Sequence, residues 1–390
     1  VTLLDGRQVQ LLASAKAARA AIEQGAVASE TARRLVDEVA NVLHEAGLYW
    51  LQVPSCLGGS EADAVTAFEV LEEVSYADGS TGWNLLAGTT TLALAGAFLG
   101  DEAVAEIFAD RRAVSAGQVA PLGTARADGD GYLIQGRFGF GSGNAQAGWM
   151  FGGYRQLDPD GRSVKLSTGM PNVLAAVVPK DRVTLIDGWS VIGLRGTGSL
   201  DYAVAEQLVP RGFTFPVFEA VPRRGGPLYR LGPNGLTCVA HSGFAVGVGR
   251  RALDEVAALS LTKRRVGKAL LVDDPLFRDE FARAHASLAA ARAHCVSALT
   301  ALQEAAAVDG IGLPHRAEAR LATTAAVNAA TDVATFAYHA SGSTGLKDGS
   351  VIQRCFRDLQ AAEQHVFTDP QTYRQVGEVL LGQARPETFI

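Results

Sequence analysis

Cysteine is sparse in this chain of 390 residues, and its four copies, Cys56, Cys238, Cys295 and Cys355, are widely scattered. They make neither a disulfide framework nor a zinc-ligand spacing, which excludes a small stapled scaffold and fits a reducing cytoplasm. Positive charge is not in excess: 35 Lys and Arg face 41 Asp and Glu, for a formal net charge of -6 and a pI near 5.7. That balance gives no electrostatic case for nucleic acid or an anionic membrane surface. No run approaches ~18 apolar residues without a charge, so no membrane span is expected. The N-terminus has no basic-then-apolar signal layout. The seven histidines, His315 and His339 among them, lack metal-ligand spacing, and no metal site is expected. What is present, 48% hydrophobic and 19% charged residues, describes a globular protein with a large core and room for two or three domains.

The rhythm of apolar residues changes twice. Residues 1–112 read as helices: Gln8–Gln24 and Ser29–Glu45 carry apolar residues at helical spacing, and Gly47 follows as a C-terminal cap. A third helix is expected from Ser60, and Gly79-Ser-Thr-Gly82 punctuates the chain before another with Trp83 and Asn84. Residues 113–216 switch to period two. Asp128-Gly-Asp-Gly131 signals a hairpin, and Tyr132, Ile134, Phe138, Phe140 and Ser142 fall on one strand face. Val173–Val178 and Tyr202–Val209 are further strands, at the spacing of a small barrel or sandwich. Residues 217–390 return to Ala-rich helices, expected over Ala240–Lys263, Asp274–Val308 and Pro314–Ala340.

Several short segments have the makings of a site. Gly139-Phe-Gly-Ser-Gly143 lets backbone approach a flat ligand, with Phe140 to cover it and Ser142 to donate a hydrogen bond; it reads equally as a strand end or bulge. Arg195-Gly-Thr-Gly-Ser199 gathers amides, hydroxyls and a guanidinium, as an anion rim or an ordinary turn. Lys263-Arg-Arg-Val-Gly-Lys268 places cations at a helix end, where they offset the dipole or meet a phosphate. Gly247-Val-Gly-Arg-Arg-Ala252 has the loose form of a dinucleotide fingerprint without the strand that it needs, and reads as a close-packed helix. On the helix near the end, Arg354, Asp358 and His365 share a stripe, with Val351, Phe356, Leu359 and Val366 on the apolar side. Alone, that stripe is a salt-bridged face with a bystander histidine.

Together these segments resemble the acyl-CoA dehydrogenase superfamily over nearly the whole chain. The resemblance rests on Val53-Pro-Ser-Cys-Leu-Gly-Gly59, Glu72-Glu-Val-Ser-Tyr-Ala-Asp-Gly-Ser80, Gly136-Arg-Phe-Gly-Phe-Gly-Ser142, Val266-Gly-Lys268, and Arg354 with Arg357-Asp358. It implies an α+β fold with an N-terminal helical domain, a central β-barrel domain and a C-terminal four-helix bundle. The Glu-Gly-Thr turn that follows the late Arg-Asp in many dehydrogenases is absent; Glu363-Gln-His365-Val-Phe-Thr-Asp-Pro370 stands there. With Arg195-Gly-Thr-Gly-Ser199 and Ser80-Thr-Gly-Trp83, this histidine is similar to the two-component, reduced-flavin-dependent monooxygenases.

That branch implies reduced FAD or FMN delivered by a separate NAD(P)H:flavin reductase, oxygen activation as a flavin C4a-hydroperoxide, and hydroxylation of an aromatic or polycyclic small molecule. By the same resemblance, Ser142 and His365 are the catalytic residues. Ser142 donates near flavin N5, and His365, titrating near neutrality, positions or protonates the peroxide. Gln118, Phe140, Arg195, Thr197, Ser199 and Lys263 join Ser142 in holding flavin, Trp83 and Asn84 meet the substrate, and the assembly is a homotetramer. Two alternatives stay open: an acyl-CoA dehydrogenase with FAD and a base such as Glu255, and a non-catalytic scaffold of the same fold.

Overall fold

The computed structural model describes residues 6–264, 267 and 269–384; Val266 and Lys268 of the Val266-Gly-Lys268 motif lie outside them. Five helices come first: α1 (Gly6–Ala32), α2 (Asp37–Glu45), α3 (Ala64–Ala77), α4 (Gly79–Phe98) and α5 (Asp101–Ile107). Helix α1 runs through Gly25, where a stop was expected. A Cβ there would lie 2.2 Å from Val39 Cγ2, so the glycine is a packing notch against α2. Gly47, at φ 68°, does turn the chain after α2. Helix α3 begins four residues later than expected, because Asp63 Oδ1 accepts from Val65 N and Thr66 N at 3.0 Å each and so caps it. Gly79-Ser-Thr-Gly82 is the first turn of α4, capped by Asp78, which accepts from Thr81 N at 2.9 Å.

Seven strands follow: β1 (Ser115–Asp128), β2 (Gly131–Gly141), β3 (Trp149–Leu157), β4 (Val173–Pro179), β5 (Thr184–Ile186), β6 (Leu200–Pro210) and β7 (Thr214–Pro216). They form one mixed sheet in the order β5-β6-β2-β1-β3-β4-β7, with β1 and β3 parallel. The expected single face of β2 breaks. Tyr132, Ile134 and Phe138 are buried, but the register with β6 slips between Phe138 and Gly141, Phe140 takes φ 62°, and its ring is 68% exposed. The bulge turns Phe140 outward and returns Ser142 to the interior.

The second helical part holds α6 (Gly232–Ser260), α7 (Pro275–Ala307), α8 (Leu313–Ser341), α9 (Val351–Ala362) and α10 (Gln371–Leu380). It is fastened to the first by close backbone contact. A Cβ on Gly243 would lie 2.6 Å from Phe68 O, and one on Gly247 2.3 Å from Glu72 O. Gly247 of the loose dinucleotide pattern, with Gly243 one turn earlier, therefore brings α6 against α3, while Gly249 meets Ala330 of α8. Charge reinforces the contact: buried Glu72 pairs with Arg250 and, at 2.9 Å, with Arg292, while Glu73 takes Arg19 and, at 2.8 Å, Arg250. Burial opposes ionisation of Glu73, but the two arginines win and hold its carboxyl below the ordinary range.

Candidate active site

The residues with chemistry meet where α4, α6, the end of β2 and the turn after α9 converge. Trp83 on α4 donates from Nε1 to Ser142 Oγ at 3.1 Å, and Ser142 Oγ lies 2.7 Å from Ser199 Oγ. Ser199 Oγ is in turn 2.7 Å from Thr197 Oγ1, whose hydroxyl donates to Leu194 O at 2.8 Å. A carbonyl only accepts, so the Thr197 proton is committed there, and Ser199 must donate to Thr197. Ser142 must then donate to Ser199. The relay runs one way, from Trp83 to the Leu194 carbonyl. Ser142 therefore does not have a free proton for a ligand, contrary to the expectation from its motif; it offers its remaining lone pair. All three hydroxyl residues are buried, at 7% exposure for Ser142, 2% for Ser199 and 1% for Thr197, which keeps water from scrambling the direction.

His365 also packs against Trp83, edge to face with ring centroids 5.7 Å apart. It does not share a helical stripe with Arg354 and Asp358. Helix α9 ends at Ala362, and His365 is extended at φ -71°, ψ 132°, capping the short turn Val366–Thr368. The same ending leaves Val366 exposed, off the apolar face expected for it. His365 Nδ1 accepts from Phe367 N at 3.2 Å, so the neutral ring carries its proton on Nε2. Burial, and then the Arg320 charge, push its pKa down to about 4. The imidazole is thus neutral at pH 7, not poised near it. It supplies a hydrogen-bond donor rather than a resident cation.

His241 on α6 completes the cluster and was not among the residues singled out from the sequence. Its ring centroid is 4.7 Å from that of His365, 5.3 Å from Trp83 and 5.4 Å from Phe367; Phe244 closes on Trp83 at 5.0 Å. The available signal was a histidine three residues before Phe244 on an otherwise apolar helical face.

Arg354 and Asp358 have a different task. Arg354 Nε lies 3.3 Å from Asp78, the cap of α4, and Asp358 Oδ1 accepts from Leu194 N at 2.6 Å. Helix α9 thus ties the start of α4 to the loop that ends the relay, with Leu194 held at φ 54°. Burial first, and the nearby Asp78 second, raise the Asp358 pKa to about 7.

The other candidates are placed as follows. Gln118 donates to Gly139 O at 2.6 Å, Asn84 donates to Ser80 O and Gly196 O at 3.0 and 3.3 Å, and Phe140 meets Trp189 edge-on at 6.2 Å. Asn84 therefore fixes backbone. The Arg195 carbonyl accepts from Trp189 Nε1 at 3.1 Å, and Lys263 Nζ donates to Thr344 Oγ1 at 2.8 Å. Glu255, the alternative base, accepts from Arg251 at 2.8 Å. No group of three or more metal-ligating side chains occurs among the described residues, and none of their helices is long and apolar enough to cross a membrane.

A helical layer, a mixed sheet and a second helical layer meeting at one buried polar cluster define the class: the chain belongs to the acyl-CoA dehydrogenase family, residues 8–110 matching its N-terminal domain and 239–370 its C-terminal domain. Its place there is the branch of flavin-dependent monooxygenases. It is 31% identical over 354 residues to indole-3-acetate monooxygenase of Pseudomonas putida, which covers 90% of this chain and 88% of the relative. To the oxygenase subunit HsaA of a flavin-dependent monooxygenase from Rhodococcus jostii (strain RHA1) it is 28% identical over 366 residues, 90% of this chain and 92% of that one. The solved structure of XiaF from Streptomyces sp. in complex with FADH2 and glycerol superposes with a TM-score of 0.87 at 24% identity, over 97% of this chain and 96% of that one.

The site suits a flavin. Ser142 presents a buried acceptor, Phe140 an exposed ring at a bulge, and Trp83 and His241 an aromatic wall.

Proposed function

We propose that this monooxygenase takes reduced FAD or FMN from a separate NAD(P)H:flavin reductase and hydroxylates a small aromatic molecule beside Trp83, His241 and His365. Ser142 would hold the flavin at N5, with Phe140, Gln118, Arg195, Thr197 and Ser199 around it and Lys263 toward its phosphate. Reduced flavin, when bound, supplies the two electrons that let one atom of dioxygen enter the substrate and the other leave as water. The carrying observation is the one-way relay into the Leu194 carbonyl. Flavin N5 bears a hydrogen only in the reduced form, and Ser142 offers it an acceptor. Oxidised flavin would set lone pair against lone pair.

The chain's own groups do the rest. Trp83, Phe244 and Phe367 are at most 8% exposed, and they exclude water from the reacting oxygen. His365 keeps a proton on Nε2 and offers it as a hydrogen bond to that oxygen. As the family resemblance implies, the working form is a homotetramer.

The test is a coupled assay. The pure chain with free flavin should leave NADH and NADPH unoxidised, and an unrelated NAD(P)H:flavin reductase should restore consumption and product. Rapid NADH oxidation without the reductase would refute the two-component reading.

A further inference from the structure

His241 is 95% removed from solvent, at 5% exposure, and one of its ring nitrogens has no hydrogen-bond partner. Nδ1 lies 3.1 Å from Thr237 O, one helical turn back; the carbonyl can only accept, so Nδ1 carries the proton and Nε2 is a bare lone pair. Burial, His365 and Arg320 all oppose a charge on the ring and hold its pKa well below the ordinary value. Nε2 is thus a stable acceptor that does not compete for a proton. The ring sits among Trp83, His365 and Phe367. His365, 4.7 Å away by ring centroids, has the opposite polarity, with its proton on Nε2.

The geometry points to His241 as the residue that selects the substrate: its Nε2 accepts a hydrogen bond from an O–H or N–H carried on the aromatic ring, as in a phenol or an indole. This rests on the proposed aromatic hydroxylation. A buried acceptor without a donor is costly, so a ring that brings one is favoured, and the same ring with that position methylated leaves the acceptor unpaired and adds bulk. The chemistry gains as well. An acceptor drawing on the O–H or N–H hydrogen pushes electron density into the ring, where electrophilic oxygen is received. One imidazole would read the substrate and the other would face the oxygen.

The experiment measures binding, apart from turnover. Calorimetry on the full chain, both flavin-free and anaerobically loaded with reduced flavin, compares phenol with anisole and indole with 1-methylindole. Wild type should bind the donor-bearing member of each pair at least roughly tenfold more tightly. His241→Phe keeps an aromatic ring and should bring both ratios to within about twofold, while His241→Gln keeps an acceptor and should restore a preference. Ratios near one in wild type, ratios unchanged in His241→Phe, or no binding of any of the four probes overturn the proposal. If His241→Phe does not fold, His241→Leu takes its place: a preference lost there and retained in His241→Gln supports the proposal, and a preference that persists in His241→Leu overturns it. Failure of the monooxygenase reading looks different: the binding ratios persist while no oxygenated product forms with the reductase.

Discussion

Ser199→Ala is the sharpest probe of the relay, because it acts on the flavin through another residue. The substitution removes the acceptor of the Ser142 hydroxyl but leaves Trp83 donating to Ser142 and Thr197 donating to Leu194 O. At 2% exposure, the Ser199 position is not refilled from bulk water, so the Ser142 proton must find another acceptor. The open direction is outward. Ser142 then becomes a donor, which suits oxidised N5 and no longer favours N5–H. Reduced flavin loses one hydrogen bond of about 1–1.5 kcal/mol and oxidised flavin gains one, which together shift the ratio of oxidised to reduced dissociation constants by roughly thirty- to a hundred-and-fiftyfold. For a two-electron couple that lowers the bound-flavin potential by about 40–65 mV. Titrating both redox states, the reduced one anaerobically, reads the ratio directly. Thr197→Val, two links from Ser142, should move it the same way, because a freed Ser199 proton can turn back toward Ser142. An unchanged ratio in both variants, or a shift toward reduced flavin, would refute the polarity argument.

His365→Ala should bind reduced flavin normally yet lose on the order of a hundredfold in product rate, with oxygen diverted to hydrogen peroxide; His365→Asn, which keeps a donor, should be milder, and peroxide and product yields decide. Gly243→Val should lower the melting temperature, since its Cβ would meet Phe68 O at 2.6 Å; overpacking of this kind costs about 1–3 kcal/mol or more. Asp358, whose pKa is about 7 in the fold against 3.8 free, binds a proton more readily folded than unfolded. Its contribution to stability is full below 3.8 and is lost as pH rises to 7, so the denaturation midpoint of wild type relative to Asp358→Asn should rise as pH falls across that window. His365, at about 4 in the fold against 6.5, works in the opposite direction, and its stabilisation is lost as pH falls from 6.5 to 4.

Periodicity and turn chemistry carried the element order. The hairpin at Asp128-Gly-Asp-Gly131, strand Val173–Val178 and helices α7 and α8 lie where their patterns point, within the usual uncertainty at element ends, whereas α6 starts at Gly232, eight residues before the expected Ala240. Glycine misled where its role was distant. Gly25 serves close contact with Val39 on the next helix and Gly79 with Asp358 far along the chain, so local rules took the one for a stop and the other for a break. Ser142 was legible from its motif, but the direction of its proton was not. That direction is decided by Thr197, Ser199 and a carbonyl more than fifty residues on. Phe140 and His365 fail for a shared reason. Each lies just past an irregularity, a bulge or a helix end, where the side-chain period resets. His241 looked like an isolated histidine because its neighbours come from α4 and the turn after α9.

The near-contact of α6 with α3 sets how this enzyme can diversify. Gly243 and Gly247 leave no space between the two backbones, and His241 stands two residues before the first of them. Its position is therefore inherited from a helix-to-helix distance that a single added methyl would disturb. The Phe140 bulge, at the end of β2, and the Trp189 segment, just after the edge strand β5, lie outside that constraint. New substrate shapes are thus most readily reached by remodelling those rim segments, while the requirement for a ring-borne donor stays fixed. Laboratory evolution for bulkier aromatics should accumulate changes there and leave Gly243 alone.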